Sequence, residues 1–86
     1  MEYETSDLYF ASLLLALGYK LVSLRNINKR RIGFKFIYSE DQDDPDTIYD
    51  QYYENNIKVD AKTYTSAIKE IKTRLYNYSS TNLSHK

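Results

Sequence analysis

Residues 31–38 read Arg31-Ile32-Gly33-Phe34-Lys35-Phe36-Ile37-Tyr38, and this stretch decides the fold class. Ile32, Phe34, Phe36 and Tyr38 fall on one side at period two, with Arg31, Gly33, Lys35 and Ile37 on the other, the pattern of a half-buried strand. Immediately upstream, Tyr19 to Arg25 reads as its antiparallel partner, with Val22 and Leu24 as the core pair and Lys20 as an edge charge. Asn26-Ile27-Asn28-Lys29 supplies the turn between them, since Asn tolerates positive φ. Before this hairpin, Leu8 to Leu17 is apolar except for Ser12 and stops at Gly18, which predicts a helix over 7–17 ended by a left-handed glycine. Ser6 is the predicted N-cap, with Asp7 in the first turn. A helix apolar on nearly every side must be wrapped by other elements or meet a second copy of itself.

Beyond the hairpin, residues 39–46 read Ser-Glu-Asp-Gln-Asp-Asp-Pro-Asp, a polar loop. Pro45 disfavours helix at Asp44, and Asp46 can cap the next helix. Ile48, Tyr49, Tyr52 and Tyr53 give 47–54 the spacing of a short amphipathic helix, ended by Asn55-Asn56. Ile57-Lys58-Val59 is a short third strand or an extended connector. Asp60 caps a last helix whose apolar line is Tyr64, Ala67, Ile68, Ile71 and Leu75, with Tyr78 near its end. The predicted architecture is one small α+β domain over 1–78, in the order helix, β-hairpin, short helix, short strand or connector, helix. A flexible polar tail is predicted over 79–86.

The chain has 86 residues and a mass of 10.2 kDa, enough for one domain that buries roughly 60–65% of its unfolded surface. No Cys excludes disulfides, thiolate metal sites and thiol nucleophiles, and two Gly cannot build a phosphate-cradling loop. Mean hydropathy is −0.66, and Leu8–Leu17 falls short of the about 20 apolar residues a bilayer span needs. Glu2, Glu4 and Asp7 precede it, the wrong sign for a secretory leader, so a cytoplasmic setting without membrane attachment is expected. His85, the one His, sits in the polar tail with nothing to orient it as a general base. The acidic run misses the EF-hand template, with Pro45 at the third ligand position counted from Asp41. The expectation is a non-enzymatic chain with no metal and no cofactor.

Charge is sorted along the chain. Residues 8–39 carry six basic side chains and no acid, residues 40–60 carry eight acids against Lys58, and residues 61–86 carry five basic against Glu70. The opening Glu2, Glu4 and Asp7 bring the total to zero. Two binding surfaces are therefore candidates. Asp46, Asp50 and Glu54 recur every four residues beside Tyr49 and Tyr53, an acidic and aromatic helix face suited to a basic protein partner. Alternatively, Arg25, Lys29, Arg30 and Arg31 at the hairpin tip, helped by Lys69 and Lys72, would grip nucleic-acid phosphates. A two-fold homodimer through Phe10, Leu13, Leu14 and Leu17 would relieve the small core, and is preferred to a monomer.

Thr5-Ser6-Asp7-Leu8 through Leu13-Leu14-Leu15-Ala16-Leu17-Gly18-Tyr19-Lys20-Leu21 resembles the opening of a small uncharacterised domain-of-unknown-function family of phage and bacterial proteins. The later Tyr52-Tyr53-Glu54-Asn55, Val59-Asp60-Ala61, Tyr64, Ala67-Ile68 and Lys72-Thr73-Arg74-Leu75-Tyr76 extend the similarity over about residues 5–78, with Asn56 where that family would carry Gly. The resemblance implies a single α-β-β-α-β-α unit of phage or mobile-element origin, and it carries over no catalytic residue. The reading preferred on all these grounds is an inhibitor- or adaptor-like accessory protein that binds a protein through its acidic, Tyr-rich surface; the nucleic-acid module is the alternative.

Overall fold

The alternating stretch is the middle strand of a three-stranded antiparallel sheet. The computed structural model describes residues 1–83, the side chains of 80–83 excepted. Its elements are β1 (Glu2–Thr5), α1 (Leu8–Ala16), β2 (Lys20–Asn28), β3 (Arg31–Ile37), α2 (Pro45–Tyr53) and α3 (Ala61–Leu83). The sheet order is β1-β3-β2, so β1 and β2 run parallel on either side of β3 with α1 as the crossover. Phe34 and Phe36 are buried on the core side of β3 as their alternation predicts, with Ile32 and Tyr38 partly covered beside them. The α+β class and the helix–hairpin–helix–helix order stand.

The sheet departs from the sequence reading in three places. β1 was not foreseen: four residues, two of them Glu, give too little pattern to announce a strand, and only the register against β3 makes it one. In β2 the core pair is Leu21 and Leu24, opposite Phe36 and Phe34, rather than Val22 and Leu24. A register shift between Leu21 and Ser23 puts Val22 in as an extra residue, 40% exposed, and so reverses the parity of everything before it. The hairpin loop is the pair Lys29–Arg30, and neither Asn26 nor Asn28 takes positive φ. Instead Asn28 Oδ1 accepts a hydrogen bond from Arg30 N at 2.9 Å. A second shift between Asn26 and Asn28 adds local twist, which lets a loop without positive φ close the ribbon.

The helices follow their caps. The α1 cap is Asp7, not Ser6, its Oδ1 accepting from Tyr9 N at 3.0 Å and Phe10 N at 3.1 Å. Gly18 sits at φ 96°, as the left-handed stop requires. The all-apolar helix is wrapped by its own chain. Phe10, Ala11, Leu13 and Leu14 join Tyr19, Leu21, Phe34, Phe36, Ile48 and Ile71 in one core drawn from the sheet and all three helices. Buried Ser12 donates its hydroxyl to Leu8 O at 2.8 Å, so the single polar group there is satisfied. α2 starts at Pro45, two residues earlier than a cap at Asp46 would place it, because Asp44 is the cap and proline suits the first helical residue. Asn55, at φ 60°, takes the left-handed position that ends it, and Asn56 does not. Residues 57–59 form no strand; Ile57 and Val59 pack on the core as an extended connector. Asp60 caps α3 through Thr63 N at 2.9 Å, and the expected apolar line faces inward, Ala67 and Ile71 most deeply. α3 continues through Leu83, into the region read as a tail, while residues 84–86, His85 among them, lie outside the described residues. Its 23 residues give it a length of about 35 Å, which makes the molecule long in one direction, 43 Å against 27 and 21 Å.

Candidate functional site

α2 is held to the body by one side and presents the other. Pro45 and Ile48 are buried, and Tyr49 and Tyr52 lean on Phe10 of α1 with ring centroids 5.0 and 5.8 Å away. The Tyr49 contact is edge-to-face, at 88° between planes. Tyr53 leans outward on Tyr49, ring centroids 5.1 Å apart and planes tilted by 59°, and is 71% exposed. A ladder of rings therefore runs from the core to the surface, and its last rung is propped by packing rather than free. Around Tyr53 stand Asp50 and Glu54, with Asp46 a turn earlier, all exposed. The five residues proposed from spacing thus share one surface, although Tyr49 serves mainly as the support of Tyr53.

The acids of this region have different occupations. Asp44 and Asp60 are caps, and Asp46 lies in the first turn of α2, where negative charge meets the positive end of the helix dipole. Hydrogen bonds from Thr63 hold the Asp60 carboxyl below its ordinary range. Asp43 offers its backbone oxygen to the Tyr19 hydroxyl, which ties the acidic loop to the start of β2. Asp50 and Glu54 have no such task. They lie at the C-terminal end of α2, where the helix dipole disfavours a carboxylate. Among the described residues, no carboxylate of 40–60 is paired with a cation; the ion pairs are Arg25–Glu4, Lys35–Glu2 and Arg74–Glu70.

On the other candidate surface, the unforeseen β1 changes the arithmetic. Arg25 donates through Nε to Glu4 Oε2 at 2.6 Å and through Nη2 to Glu4 Oε1 at 2.7 Å, across the intervening β3. This fork holds the Glu4 carboxyl below its ordinary value and raises Arg25. Arg31 Nη2 donates to Ser6 Oγ at 2.7 Å. Lys29 and Arg30 are exposed at the loop, and Lys69 and Lys72 are exposed on α3. The hairpin cations are thus divided, with Arg25 already neutralised on the sheet. Phe10, Leu13 and Leu14, read as a dimer surface, are at most 2% exposed inside this chain, and only Leu17 of that set is partly exposed.

A family model, the Domain of unknown function (DUF5659), matches residues 1–77. The chain belongs to this family. The match spans all three strands, both short helices and most of α3. No curated protein and no solved structure was found to be similar. Among the described residues, no helix is long and apolar enough to cross a membrane.

Proposed function

We propose that this domain is a non-enzymatic binding module that engages a basic surface of a protein partner through the exposed side of α2, with Tyr53 as anchor and Asp50 and Glu54 as its charged flank. The observation that carries this is the pairing of an exposed, propped aromatic ring with two acids placed against the helix dipole and left without a cation among the described residues. Rigid aromatic anchors lose little entropy on binding, and complementary charge speeds and orients the encounter. In keeping with the family resemblance, we place it as an inhibitor- or adaptor-like accessory factor of a phage or mobile element working in the cytoplasm.

The test is capture of a partner from the native host on immobilised protein. Asp50→Lys with Glu54→Lys, and separately Tyr53→Ala, should abolish capture while the far-UV spectrum stays unchanged; capture that survives both rejects this face. The nucleic-acid alternative draws on Lys29, Arg30 and Arg31 without Arg25, and predicts a gel shift that weakens with salt and with Arg30→Ala plus Arg31→Ala. No shift at low salt removes it.

A further inference from the structure

Between the hairpin tip and the second half of α3 lies an open cleft of about 370 Å³. Leu8, Ile32 and Leu75 contribute its apolar wall, and Arg30 and Arg31 its rim. The bond from Arg31 to Ser6 Oγ lays one guanidinium along that rim. Neither arginine is in an ion pair among the described residues. An aliphatic wall offers a phosphate backbone nothing, whereas an apolar side chain flanked by carboxylates satisfies both halves of the cleft.

The chain itself presents such a group. We propose that the α2 face of one molecule docks into this cleft on a second copy, Tyr53 entering against Leu8, Ile32 and Leu75 while Asp50 and Glu54 meet Arg30 and Arg31. The inference rests on the same exposed α2 face as the proposed function, and a basic partner would compete with the cleft for it. Zero net charge leaves no overall repulsion between copies, so the sorted patches decide the encounter. Because each copy uses two different surfaces, the contact is head-to-tail, and association grows with concentration instead of stopping at a two-fold pair.

Sedimentation velocity of the full chain over a concentration series tests this at about 0.01 M and about 1 M salt, where charges act over roughly 30 Å and roughly 3 Å. The mean mass should rise with concentration at low salt and stay monomeric at high salt. Arg30→Glu with Arg31→Glu, and Asp50→Lys with Glu54→Lys, should each be monomeric alone, and their equimolar mixture should associate again. There the unaltered α2 face of the first docks in the unaltered cleft of the second, and the reversed face of the second in the reversed cleft of the first. Tyr53→Ala, at an exposed position, should weaken association roughly tenfold or more. A wild type that is monomeric at low salt overturns the proposal, as does association that survives either charge reversal or a mixture of folded variants that stays monomeric. Should a charge variant fail to fold, unchanged association of Tyr53→Ala overturns it. A monomeric wild type that still captures a partner through Asp50 and Glu54 removes only the contact between copies; self-association without capture removes only the partner.

Discussion

Gly33 is a spacer. It stands on the open face of the middle strand, and an added Cβ would come within 2.7 Å of Glu4 Oε2 and 2.9 Å of Ile27 Cδ1. Its missing side chain lets Arg25 and Glu4 reach each other over β3. Both obstructing atoms are ends of flexible side chains, so Gly33→Ala should fold and should displace the ion pair. Followed by NMR, the Glu4 carboxyl should then titrate closer to its ordinary 4.5 than in the wild type; an unchanged titration would mean the pair does not depend on the glycine. Gly18 is different, since it meets nothing within 4 Å but holds φ 96°. Gly18→Ala should therefore lower stability by about 1 kcal/mol through backbone strain alone, measured by chemical denaturation. Sequence placed Gly18 at a helix end from its neighbours. The role of Gly33 depends on side chains from two other strands, and nothing local to residue 33 reports them.

At the scale of the element, α2 separates carboxylates that build the helix from carboxylates that do not. Asp44→Ala removes the cap and should cost about 1 kcal/mol in unfolding free energy. Glu54→Lys reverses an unfavourable charge at the other end and should raise stability by about 0.3–1 kcal/mol. If the α2 face binds as proposed, the same change weakens partner capture, so stability and binding move in opposite directions; a parallel loss of both would point to a structural role. α1 offers the contrasting case. Leu14→Ala should cost about 2–5 kcal/mol, because Leu14 is fully buried between the sheet and the helices. Leu14→Glu would then unfold the domain rather than separate two copies. The apolar run showed that α1 needs cover on every side, yet it could not say whether that cover comes from the same chain.

Among the described residues, opposite charges meet where β1 brings Glu2 and Glu4 beside Lys35 and Arg25 and where Glu70 faces Arg74 on α3, and otherwise stay on separate surfaces. Stability should follow pH accordingly. Burial, reinforced by aspartates 43 and 44 at Tyr19 and by Asp46 among others at Tyr3, raises these phenols above 10.0, and burial does the same to Tyr64. Their contribution is complete below pH 10.0 and is lost as pH rises through the raised folded values. Glu4 and Asp60 are lowered from 4.5 and 3.8, so theirs is present above those values and is lost as pH falls through the lower folded ones. Tm should be level between pH 4.5 and pH 10.0 and fall on both sides, with phenolate absorbance appearing together with unfolding on the alkaline limb. Phenolate that forms well before unfolding would show these hydroxyls to be free. Local sequence dictates whatever is written within a turn or a strand length: the period-two strand, the glycine and asparagine stops, the aspartate caps and the charge blocks. The rest came from the folded chain: the third strand, the parity of β2, the loss of Arg25 to Glu4 and the cleft beside Arg30. Each depends on segments distant in the chain, such as Glu4 and Arg25, being brought to one place, and no local pattern encodes that distance.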